Sequence, residues 1–196
     1  MCRILFVYKH EMSDNQCRIV NRVFRDYANK YPMNLVSMGS LSLSSHGFAY
    51  KSAIGNVFDV SKSETLFAHL RVPYMKKLDS FTISEENVQP FIFENRYVVM
   101  HNGYIESKKK NQKSDSLLFF EKWRQSGLPL DAYIKKQRKG LLNIIMYDMQ
   151  TDEFLVYHGR SELPPMYIHK PTRTVSNFKI YDKSIEMAPG EFFRNY

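Results

Sequence analysis

Four short stretches carry side chains that could do chemistry together. Cys2 stands directly after Met1. Removal of a methionine before a small residue would leave a thiol and a free α-amine on one residue, and that amine can be the base. An unperturbed α-amino group titrates near ~7.7 to 8.0 and a thiol near ~8.5, so proton transfer between them is nearly isoenergetic at neutral pH. The plainer reading is a small buried hydrophobe opening a strand. His101-Asn102-Gly103 follows the apolar run YVVM. Asn-Gly between apolar runs is the common mark of a tight hairpin turn. The same residues could form an oxyanion hole, with the Gly103 N–H and the Asn102 side-chain amide converging on one oxygen.

Arg71, in AHLRVP, ends an apolar run before a proline, where its guanidinium fork suits a bidentate carboxylate; otherwise it is a surface arginine. Asp115, in SDSLLFF, heads a helix, where a carboxylate is favourable merely as first-turn charge. Taken together, the four stretches supply a nucleophile with a built-in base, an oxyanion hole, a carboxylate clamp and an ammonium clamp. Cleavage of a glutamine-like γ-amide requires that set.

The elements that must position these residues are legible in outline. Residues 2–8 (CRILFVY) read as a strand. Ser13 and Asp14 can cap a helix carrying Ile19, Val20, Val23, Phe24 and Tyr27 on one stripe, with Cys17 next to it. The serine-rich stretch 34–45 reads as loop, and strands are expected at 46–51, 55–60, 65–72 and 90–100. Ser114 can cap a second helix ending at Gly127, two strands (141–148 and 153–158) are joined by MQTD, and further strands are expected in 166–193. Many strands with few helices, out of strict β-α alternation, predict an α+β fold with sheets packed face to face.

Composition narrows the function. At 196 residues with 43% hydrophobic and 14% aromatic content, one domain spanning 1–196 is expected. The net charge of +8 is spread over basic runs at 76–77, 108–113 and 135–139 that lie between apolar segments, as solvated faces do. No recognisable nucleic-acid module accompanies them, so nucleic acid is not the expected partner. No stretch approaches membrane-spanning length, and the apolar run Ile4–Val7 is too short for a signal peptide, so a membrane is not expected either. Two cysteines fifteen positions apart make neither a disulfide framework nor a metal site, which fits a reducing, cytoplasmic setting without a metal.

The order of motifs resembles the class II glutamine amidotransferases. MCRIL, HGFAY at 46–50, AHLR at 68–71, NVQPF at 87–91, HNGYI at 101–105, SDS at 114–116 and APGE at 188–191 span nearly the whole chain. The resemblance implies a four-layer αββα fold of N-terminal-nucleophile hydrolase type, a single amidotransferase type-2 domain, and no metal or organic cofactor. It implies Cys2 as nucleophile, Asn102 and Gly103 as oxyanion hole, Arg71 on the substrate α-carboxylate and Asp115 on its α-ammonium. The opening MCR is similar to the stand-alone branch that hydrolyses γ-glutamyl compounds, with a separate synthase subunit as an open partner. Gln89 departs from the family's N-x-H-P-F, Val72-Pro73 departs after the arginine, and the loop 106–113 is short and basic. These departures leave a second reading in play: a binding subunit of the same fold that has lost turnover.

Overall fold

The computed structural model describes residues 2–45, 47–72, 84–105, 114–137, 141–160 and 162–194. His46 of the HGFAY motif, Pro73, the loop 106–113 and the basic residues at 76–77 and 138–139 lie outside them.

Two antiparallel sheets form the centre. The first has the order β11-β9-β10-β1-β4-β2-β3, from β1 (Arg3–Val7), β2 (Ser37–Ser44), β3 (Gly47–Ile54), β4 (Thr65–Arg71), β9 (Tyr167–His169), β10 (Thr174–Ser176) and β11 (Ile185–Glu186). The second has the order β12-β8-β7-β6-β5, from β5 (Phe91–Phe93), β6 (Tyr97–Tyr104), β7 (Leu141–Asp148), β8 (Glu153–His158) and β12 (Phe192–Arg194). Period-two alternation assigns each strand's two faces. Ile4, Phe6, Leu41 and Phe67 meet Val98, Met100, Ile145 and Val156 between the sheets. On the outer face of the first sheet, Leu5, Leu66, Ala68 and Leu70 pack on α1 (Asp14–Ala28). On the outer face of the second, Val99, Leu142 and Ile144 pack on α2 (Asp115–Ser126) and α3 (Leu130–Lys136). The layers therefore run helix, sheet, sheet, helices, as the resemblance implies.

The helices start and stop for local reasons. Ser13 caps α1 in a reciprocal box with Gln16, an arrangement worth about 0.5–2 kcal/mol, and α1 buries Cys17, Val20, Phe24 and Ala28. Cys17 thus sits inside the apolar stripe rather than beside it. Ser114 caps α2, and Gly127 ends it at φ 66°.

Three expectations are corrected. The stretch 34–45 is largely strand β2, inserted between β3 and β4: its serines alternate with Leu41 and Leu43, and small residues suit so crowded a strand. Residues 55–60 form no strand; Val57, Phe58 and Val60 pack against the α1 layer from irregular chain, and Asn21 Oδ1 accepts the Val60 N–H at 2.9 Å. The single strand expected at 90–100 is a hairpin, β5 to β6, which turns at Glu94 and Asn95 with φ of 56° and 50°. The hairpin therefore turns there and not at Asn102-Gly103, which lie within β6 opposite Asn143 and Leu142. The helix α3 was not foreseen.

One contact ties β2 to the site. A Cβ on Gly39 would lie 2.1 Å from the Gln89 carbonyl oxygen and 2.9 Å from Val88 Cγ1. Gly39→Ala is therefore expected to destabilise the protein by about 1–3 kcal/mol, read as a lower urea midpoint at unchanged m-value. An unaltered midpoint would show that the Val88–Gln89 backbone yields freely.

Candidate active site

Cys2, Arg71 and Asn102 come from three strands but share one face. Cys2 lies in phase with Ile4 and Phe6, Arg71 with Phe67, and Asn102 with Val98 and Met100, all of which point between the sheets. β1 and β4 are antiparallel with Arg3 opposite Leu70, so one further step of register brings Cys2 beside Arg71.

Cys2 is held by a residue that the motif reading passed over. Asn177, buried just past β10, donates its Nδ2 to the Cys2 carbonyl at 2.8 Å and accepts the Ile4 N–H on Oδ1 at 2.9 Å. On the other side, the Cys2 nitrogen donates to Asn102 Oδ1 at 3.1 Å. That bond orients the amide, since only its oxygen can accept. Asn102 is 1% exposed, and its Nδ2 is buried with no hydrogen-bond partner. An unmet buried donor costs about 1–3 kcal/mol, and this one belongs to the side chain that holds the Cys2 nitrogen. Gly103, next in β6, has φ 137°, a conformation that side-chain-bearing residues rarely adopt.

On its β5 edge, the strand under Asn102 is secured without a ladder partner. β5 is three residues long, and its pairing with β6 ends at Phe91 opposite Val99. Beyond that point side chains replace the missing strand. Gln89 Oε1 accepts the His101 N–H at 2.6 Å, and His69 Nε2 lies 3.2 Å from the His101 carbonyl oxygen. Burial and the nearby Arg71 charge push His69 down to about 3, so the ring is neutral and can donate its single N–H there. Gln89, the departure from the family motif, thus does a positioning task that needs only an acceptor at this spot.

Arg71 and the N-cap of α2, next to Asp115, are joined through Asn87. The Arg71 guanidinium donates Nη1 to the Asn87 carbonyl at 3.2 Å, while Asn87 Oδ1 accepts the Ser114 N–H at 2.5 Å and its Nδ2 donates to Ser84 Oγ at 2.7 Å. Burial pushes the Arg71 guanidinium below its usual value, and Cys2 and Asp115 are close enough to oppose that shift. All three groups therefore lie within electrostatic reach of one another. Asp115 accepts the Ile105 N–H on Oδ2 and the Ser116 N–H on Oδ1, each at 3.0 Å. Its carboxylate locks the end of β6 to the first turn of α2, and each oxygen keeps a lone pair for a further donor. Ser116 adds to this lock through Oγ, 2.8 Å from His101 Nδ1.

The APGE turn closes the far side of the same strand row. Asn143, directly across from Asn102, takes His158 Nδ1 at 2.8 Å on its Oδ1. The Gly190 N–H donates to the His158 carbonyl at 2.7 Å, and Glu191 Oε2 accepts the Ala188 N–H. No group of three or more His, Cys, Asp or Glu side chains among the described residues is placed to hold a metal ion. No helix among them is long and apolar enough to cross a membrane.

No family model matches the sequence, and the search of curated proteins found no match. Solved structures are similar in fold. One is the glutamine phosphoribosylpyrophosphate (PRPP) amidotransferase from B. subtilis complexed with ADP and GMP, at TM-score 0.59 and 16% identity over 98% of this chain and 47% of that one. Another is the allosteric regulatory enzyme of purine biosynthesis, at TM-score 0.59 and 15% identity over 98% of this chain and 46% of that one. The chain spans about half the length of these solved structures. With the two inner sheets, the flanking helices and the order of motifs, this likeness gives the chain the four-layer αββα fold of N-terminal-nucleophile hydrolase type, the fold of a glutamine PRPP amidotransferase.

Proposed function

We propose that this chain is an amidohydrolase of the class II glutamine amidotransferase kind, with residues 1–196 acting as one amidotransferase type-2 domain, that cleaves the γ-amide of glutamine or a γ-glutamyl compound at Cys2. The observation that carries the reading is the Asn102 side chain, whose oxygen is held by the Cys2 nitrogen and whose buried amide N–H has no partner. A tetrahedral oxyanion formed at the Cys2 sulfur would supply that partner, and the donor would gain most where charge is greatest.

The cycle is balanced without a cofactor. Once Met1 is removed, the Cys2 α-amine takes the thiol proton, and the thiolate sulfur bonds to the γ-carbonyl carbon. Asn102 Nδ2 and the Gly103 N–H hold the oxyanion. Collapse breaks the C–N bond, and the leaving ammonia or amine takes the proton from the α-ammonium. Water, deprotonated by the amine, then displaces sulfur from the γ-glutamyl thioester. Arg71 and Asp115 grip the substrate α-carboxylate and α-ammonium. The released ammonia is either lost to solvent or passed to a separate synthase subunit.

The test is intact-mass analysis after incubation with 6-diazo-5-oxo-norleucine. One adduct on a chain that begins at Cys2 is the expected result. Retained Met1 in protein from cells with active methionine aminopeptidase, or a processed chain that binds glutamine without labelling, would overturn the reading; the latter outcome marks a binding subunit that has lost turnover.

Arg71→Ala and Asp115→Ala are expected to raise KM by about 10- to 150-fold with a smaller change in kcat, because the groups they hold do not change charge during reaction. Steady-state kinetics with γ-glutamyl amides, compared with analogues lacking the α-amine or α-carboxylate, checks this. If wild type cleaves all of them with similar kcat/KM, neither residue has the role proposed.

A further inference from the structure

A cavity opens at the end of the sandwich away from Cys2. β1 runs from Cys2 towards Tyr8, a distance of about 20 Å at ~3.3 Å per residue. Around Tyr8 a space of about 130 Å³ is walled by the rings of Tyr8, Phe154 and Phe193 and by the Ile168 side chain. An apolar cavity of roughly 150 Å³ takes one benzene ring, so this space suits a single ring or a short branched chain.

Its charged lining residues, Lys170 and Arg173, are both cations and both exposed. Lys170 opens a one-turn 3-10 helix, Lys170–Thr172, and Arg173 ends it as the C-cap, so one short turn brings both charges to the cavity. Their placement is built into the backbone: Arg173 sits at φ 46°, and its carbonyl accepts the Tyr8 N–H at 3.0 Å.

We propose that this cavity binds a small amphipathic anion, a single ring or branched chain carrying one carboxylate or phosphate, with its apolar part among Tyr8, Phe154 and Phe193 and its anionic group at Lys170 and Arg173. Aromatic walls with a cationic rim provide both halves of such a ligand's recognition. The site is independent of the γ-glutamyl reading.

Calorimetric titration of the full chain with phenylacetate and with phenyl phosphate tests it, with phenylacetamide as the neutral control. One equivalent of at least one of the two anions binds, in the millimolar range or tighter, and the amide binds about tenfold weaker or not at all. The preferred anion identifies the headgroup. Methyl resonances of Ile168 and Val175 shift on addition. Lys170→Gln with Arg173→Gln, both at the exposed rim and harmless to the core, weakens binding about tenfold, whereas Arg71→Ala leaves it unchanged. No binding of either anion, equal binding of the amide, or loss of binding in Arg71→Ala would each overturn the proposal.

Discussion

Cys2→Ala protein is expected to show no hydrolysis of glutamine or γ-glutamyl amides above background, while Cys17→Ala remains within about twofold of wild type. The contrast follows from where the two thiols lie. Cys2 is half-buried at the head of β1, with its nitrogen on Asn102 and its carbonyl on Asn177, and faces Arg71 across the inner sheet surface. Cys17 is buried in the stripe of α1 against the outer face of the same sheet, and burial pushes its thiol up, away from the reactive thiolate. The Cys2→Ala variant should unfold at the wild-type urea midpoint, since the side chain contributes little to either core layer. Equal losses in the two variants would identify the wrong thiol. Activity retained in Cys2→Ala would remove the thioester altogether.

How far this arrangement can be read from sequence depends on the range of the interaction involved. The capped helices α1 and α2 are legible because Ser13, Ser114 and Gly127 act on their own neighbours. The strand bearing Arg71 and the opening strand are legible because their apolar runs are continuous. Strand β2 was hidden by its serines, whose place is set by the strands on either side of it rather than by their own propensity. Asn-Gly was ambiguous for a physical reason. A glycine at positive φ serves a turn or an open backbone beside a ligand equally well, and only the pairing of β6 with β7 through Tyr104 excludes the turn.

The supporting residues were the hardest to see. Asn87, Gln89 and Asn177 each touch groups 12 to 175 residues away through backbone N–H or C=O contacts. A side chain that satisfies a distant backbone group leaves no local periodicity. Asn87 and Gln89 could have been suspected, because they lie within NVQPF, where two amides border a short apolar run. Asn177 offered no comparable signal. Its position after β10 is significant only once β10 is known to pair with β1. The consequence for the candidate site is that Gln89, which stood out as a departure, fills a structural need: the β6 edge beyond β5 requires an acceptor for the His101 N–H, and a glutamine oxygen at 2.6 Å provides it.

Asn102→Ala is expected to lower kcat by about 10²- to 10³-fold with little change in KM, as loss of an oxyanion donor does when its bond is made chiefly in the transition state. The variant also frees the Cys2 nitrogen, so a fall in rate alone would not separate donation to the oxyanion from positioning of the nucleophile. Asn102→Asp makes that separation. Aspartate keeps an oxygen for the Cys2 nitrogen and nearly the same shape, but it replaces the unpartnered N–H with an acceptor bearing negative charge. If Nδ2 acts as the donor, Asn102→Asp is at least as slow as Asn102→Ala in single-turnover acylation, because it repels the developing charge as well as failing to stabilise it. Its carboxylate also holds the α-ammonium in its charged form, so what rate remains should rise only at higher pH than in wild type. Should Asn102→Asp acylate within about fivefold of wild type while Asn102→Ala does not, the residue would be a positioning group for the Cys2 nitrogen and the oxyanion would have to be held by other donors.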